Sequence, residues 1–73
     1  MSRAMTNQDR AQTARLAIRS ACEASGEPDD IGEDAITDLL ADLRHYCAMA
    51  GHDYDRCDRV ALMHFDDETA ERA

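Results

Sequence analysis

The chain has 73 residues, and its sixteen acids against eight bases give a formal net charge of −8. That length suits one domain near the lower limit for a self-supporting core. The charge argues against direct binding to nucleic acid, whose phosphates would repel it, and the lack of any run of eighteen apolar residues argues against a membrane span.

The apolar fraction of 44% overstates the core, because thirteen of those residues are alanines. Burying an alanine contributes little beside the roughly 1.5–3 kcal/mol of a Leu, Ile or Phe side chain. There is one Phe, two Tyr and no Trp. A marginal monomer or an obligate homodimer is expected, a second copy supplying the missing burial. Every base is arginine. Residues 1–26 carry four arginines against Asp9 and Glu23, a net +2, while residues 27–73 carry fourteen acids against Arg44, Arg56, Arg59 and Arg72, a net −10. Such an acidic segment suits a basic partner surface, including one that ordinarily holds DNA or RNA. It also serves plain solubility, the commoner use of surface acid. The opening MSRAMTNQDR lacks the apolar core of a secretion signal. With three cysteines on expected helices, this points to reduced thiols in the cytoplasm.

In chain order, residues 1–5 are expected to fray. Thr6 caps a first helix over about 7–25, with Asp9 at its third position. Ala11, Ala14, Ile18, Ala21, Cys22 and Ser25 make one face, flanked by Leu16 and Ala17. Arg10, Arg15 and Arg19 stay outside it. Gly26 ends the helix, and Glu27-Pro28-Asp29 forms a turn because Pro28 cannot continue it.

A second helix is expected over about 31–50. Ile36, Leu39, Leu40, Leu43, Tyr46 or Cys47, and Ala50 recur at the spacing of one helical face. Asp30 is the expected N-cap, paired in a capping box with Glu33. Gly51 follows as the left-handed C-terminal residue. A third helix is expected over about 54–68 with Asp53 as N-cap. Tyr54, Cys57, Ala61, Phe65 and either Val60 or Leu62 form its apolar side. Asp55 and Arg59 stand at i, i+4, and residues 69–73 are expected to loosen. The expected fold is therefore all-α, one domain over 1–73, a three-helix up-down-up bundle.

The polar side of the second helix carries Asp34, Asp38 and Asp42 at i, i+4, i+8. At 1.5 Å rise per residue, successive carboxylates stand about 6 Å apart, near the phosphate interval of a nucleic-acid strand. Like charges at that spacing cost helix stability slightly, so local stability gives no reason for the row. Glu33, Asp30 and Asp29 extend the band, and Asp53, Asp55 and Asp58 add to it from the third helix. A solvated acidic face with no partner is the plainer reading. The sharper one is a row that occupies an arginine- and lysine-lined channel in place of DNA or RNA. Tyr46, Met49, Tyr54, Met63 and Phe65 are candidate interface anchors, with core filling the simpler role for Tyr54 and Phe65.

His45, Cys47, His52, Cys57 and His64 raise a metal reading. The pairs are H-x-C and H-x4-C, not the close pairs that zinc favours. Residues two apart on a helix point about 200° apart, so His45 and Cys47 cannot share an ion. Cys47 and Cys57 are expected to act as small buried hydrophobes. No phosphate loop or nucleophile elbow is present, and a three-helix unit with few large side chains is poorly built to make a catalytic cleft. No enzyme, metal or cofactor is expected.

The segments DLLADLRHYC, GHDYDRC and ALMHFDDE resemble a group of short acidic proteins carried by bacterial phages, plasmids and integrative elements. The shared pattern is an acidic D-L-L-x-D-L-x-H-x-C helix at Asp38 to Cys47, a Gly-x-Asp-aromatic-Asp turn at Gly51 to Asp55, and His64-Phe65 near a helix end. It covers roughly Ile36 to Glu68 and leaves the first helix outside. The resemblance implies a mobile element of a bacterium and carries over no functional residue. In size, charge and helicity the chain is similar to anti-CRISPR proteins, which block the nucleic-acid channel of a defence complex. The expected function is thus a protein-binding inhibitor of that type, facing a basic surface such as a CRISPR–Cas effector with Asp34, Asp38, Asp42, Glu33, Asp30, Asp53, Asp55, Tyr46 and Met49. The alternative is a small homodimeric accessory protein, self-associating through the alanine-rich face of the first helix with Tyr46 and Met49.

Overall fold

A computed structural model describes residues 5–27 and 31–70. Of the described residues, 86% are helical and none lies in a strand. The helices are α1 (Asn7–Ser25), α2 (Glu33–Ala50) and α3 (Tyr54–Ala70). The all-α class and the three-helix order hold. The chain divides into two compact units, Met1–Ala41 and Asp42–Ala73, with the division falling inside α2.

Local chemistry explains most helix ends. The Thr6 hydroxyl accepts from the Asp9 amide at 3.0 Å while the Asp9 carboxylate accepts from the Thr6 amide at 3.1 Å. This reciprocal box satisfies donors that the first turn cannot bond internally. Gly26 ends α1 at φ +75°, and the Glu27 amide donates to the Cys22 carbonyl at 2.9 Å. Gly51 repeats this at φ +79°, followed by a bond from the His52 amide to the Cys47 carbonyl at 2.9 Å. Both glycines sit where a β-carbon costs energy. The Asp53 carboxylate caps α3 by accepting from the Arg56 amide at 3.0 Å.

Two boundaries differ from expectation. α2 begins at Glu33, so Glu33 is its first residue rather than the third residue of a capping box. Gly32, a poor helix former, stands just outside it. The proposed cap Asp30 and the turn at Pro28 and Asp29 lie outside the described residues. α3 continues to Ala70, two residues past the expected end. The Thr69 hydroxyl bonds back to the Phe65 carbonyl at 2.9 Å within its last turns.

In the first unit, Cys22 is buried at 7% exposure, with Ile18, Ala21, Ile31, Ala35 and Leu39 half-buried. The expected α1 face is covered only at Ile18, Ala21 and Cys22: Ala11, Ala14 and Ser25 are exposed, and Arg19, expected outside, is half-buried. In the second unit no described residue is buried, and only Cys47, Tyr54 and Glu68 are half-buried. Ile36, Leu40 and Leu43 of the expected stripe each keep over two fifths of their surface exposed. Cys57 is exposed, not a buried hydrophobe, and Phe65 is 60% exposed rather than in a core. The reason is volume. With thirteen alanines and a single Phe, the chain has little side-chain volume to cover its larger apolar groups.

Candidate functional site

The nine candidate docking residues separate once their local contacts are known. Asp53 has a structural task as the cap of α3. Asp55 bonds to Arg44, Oδ1 to Nη1 at 3.4 Å, instead of forming the expected i, i+4 pair with Arg59. The Arg44 guanidinium also lies 4.3 Å from the centre of the Tyr54 ring, a cation–π distance. Position 44 lies seven residues before Gly51 and position 55 four after it. A helical hairpin through Gly51 brings them opposite each other, and sequence reasoning confined to single helices misses this. Both partners are mostly exposed, so the bridge contributes little to stability. It does, however, reduce the free charge Asp55 can offer to a partner.

Glu33 and Asp34 occupy the first turn of α2, where acid is stabilised by the positive end of the helix. The row therefore has a local reason at its start, contrary to the sequence expectation. No such reason reaches Asp38 and Asp42. Both are exposed and make no hydrogen bond or ion pair with a described residue. Asp30 lies outside the described residues.

Continuing along α2 by the same step of four leads from Asp34, Asp38 and Asp42 to Tyr46, and three further to Met49. Tyr46 is 60% exposed and Met49 88% exposed. The Tyr46 ring lies 6.1 Å from that of His52, tilted by 45°, within the range for paired aromatic rings. One stripe of a single helix thus runs from unpaired carboxylates into two uncovered apolar anchors. That order offers charge for encounter and apolar area for retention.

α3 carries a second feature that was not singled out in the sequence. An open groove of about 520 Å³ runs along it, lined among others by Asp53, Arg56, Cys57, Val60, Ala61 and His64. The signal was the spacing of Asp53, Cys57, Val60 and His64, which alternates four and three residues.

The three cysteines are free thiols. Among the described residues no three His, Cys, Asp or Glu side chains come together as a metal site would need, and no helix is long and apolar enough to cross a membrane. Compared with protein-family models, curated proteins and solved structures, the chain matches none.

Proposed function

We propose that this chain is a non-enzymatic protein-binding inhibitor from a bacterial mobile element, of the anti-CRISPR type, acting in the host cytoplasm. The acidic stripe of α2 occupies a basic nucleic-acid-binding surface of a defence complex. Asp38 and Asp42, with Asp34 at the head of the row, stand where phosphates would lie, and Tyr46 and Met49 anchor the end of the stripe.

The observation that carries this reading is the pairing of two unpartnered carboxylates with the 88% exposed Met49 on one helix stripe. Maintaining Asp38 and Asp42 in register costs helix stability through like-charge repulsion. Leaving Met49 in water forgoes burial that a chain with one buried residue among those described needs. A basic partner with an apolar rim resolves both costs.

The test is a pull-down from bacterial lysate at low and high salt, comparing the wild-type chain with Asp34→Asn/Asp38→Asn/Asp42→Asn. A nucleic-acid-binding complex is expected with the wild type and is lost at high salt, because salt screens exposed charges. The triple variant keeps its helicity and binds that complex at least about tenfold more weakly, since charge-assisted contacts are worth roughly 1.5–3 kcal/mol each. Equal affinity of the two chains would sink the mimicry.

A further inference from the structure

The groove on α3 has a pattern that fits a particular occupant. Asp53, Cys57, Val60 and His64 are separated by four, three and four residues. That is the d-a-d-a spacing of a coiled coil, with Cys57 and His64 at a, Val60 at d, and Asp53, the N-cap just before α3, at the outer d level with one carboxylate oxygen taken by the Arg56 amide. All four line the groove. Cys57 and His64 are exposed, and Val60 retains 42% of its surface. The centre of the seam is small and apolar, Cys57 and Val60 beside Ala61, so another helix can approach closely.

The charges at its ends select the partner. In an antiparallel helix pair each a residue meets a d residue of the other chain. A second α3 laid antiparallel along the groove places Cys57 against Val60 at the centre, twice over. It also places Asp53 against His64 at each end, a carboxylate beside a ring that donates to it. In the parallel arrangement Asp53 would face its own copy and His64 its own copy, with like against like. The seam is self-complementary in one direction only.

We propose that the groove face of α3 is seated by α3 of a second copy, antiparallel, about a two-fold axis between Cys57 and Val60. This homodimer supplies the second unit with apolar burial it does not make by itself. It uses α3, not the alanine-rich face of α1, whose Ile18, Ala21 and Cys22 are already covered in part or whole. It is independent of the acidic stripe of α2.

Sedimentation equilibrium of the purified chain, from low to high micromolar, should give a dimer. Raising salt should tighten it, because each copy carries −8 and their repulsion is screened. Val60→Glu should weaken association at least about thirtyfold by burying a carboxylate at the centre of the seam. Val60→Cys tests the register without disturbing the fold. Under mild oxidation the introduced thiol should link to Cys57 of the other copy, seen as a doubled mass and mapped by peptide sequencing. A strict monomer at high micromolar concentration overturns the proposal. So does a dimer that Val60→Glu leaves intact, or a cross-link that maps to Cys22 or Cys47 instead of Cys57. Another protein bound at the groove, displaced by Val60→Glu while the chain alone stays monomeric, would also overturn it.

Discussion

The two units of this chain carry the same charge and use it on different interiors. Residues 1–41 and 42–73 each hold eight acids and four arginines, a net −4 apiece. The first buries Cys22 and half-buries Ile18, Ala21, Ile31, Ala35 and Leu39. The second buries no described residue and exposes Leu43, Tyr46, Met49, Val60, Leu62, Met63 and Phe65. Charge therefore does not set the difference. The position of the large side chains does. The first unit covers part of Ile18, Ile31 and Leu39 while Met5, Leu16, Ile36 and Leu40 stay exposed. The second spreads them over the end of α2 and the length of α3, where two helices cannot cover them all. An exposed group costs the chain stability alone and becomes affinity when a partner covers it.

That contrast can be broken most severely at Cys22. Cys22→Asp places an unpaired carboxylate at the one buried position among the described residues and should cost about 3 kcal/mol or more. Thermal melting followed by circular dichroism should show the loss, and an unchanged midpoint would deny that the first unit has a nucleus. Next in size is Gly26→Ala. The added β-carbon meets nothing within 4 Å, so its cost of about 1 kcal/mol is that of a left-handed backbone alone. A melt equal to wild type would mean the Gly26 turn can relax. The smallest effect on stability belongs to the second unit. Met49→Ser should shift stability by less than about 0.5 kcal/mol, as for other exposed sites. The same substitution should still weaken partner binding by about 1–2 kcal/mol, the scale of an interface anchor. If it melts the chain instead, Met49 belongs to a core.

The helices and most of their caps were legible in the sequence because capping is local. Thr6 with Asp9, Gly26, Gly51, and Asp53 with Arg56 each involve residues within five of one another. The start of α2 was less so, since the Asp30 and Glu33 pair reads as a capping box while the helix begins at Glu33, just after Gly32. Burial was the part least legible. The stripe of Ile36, Leu40 and Leu43 is correct as a helical face, but periodicity says nothing about whether the opposite helix has volume to cover it. The Arg44 contacts with Asp55 and Tyr54 depend on a hairpin that single-helix spacing does not reveal. Of the candidate docking residues, the row at Asp38 and Asp42 retained its unexplained charge, whereas Asp53 and Asp55 proved to have partners within the chain.

The two proposed surfaces answer salt in opposite senses. A contact made by the α2 stripe weakens as salt rises, and a seam between two copies of an acidic chain tightens. A single titration of salt on the purified chain and on its complex therefore separates them.

The central claim is that the α2 stripe stands in for nucleic acid. It is tested most directly by competition: the labelled chain bound to the complex recovered from lysate, titrated with single- and double-stranded oligonucleotides and followed by fluorescence anisotropy. The account predicts that one class of oligonucleotide returns the signal to that of the free chain. Anisotropy that holds steady while the oligonucleotide is shown to bind the same complex would place the two on different surfaces and contradict it.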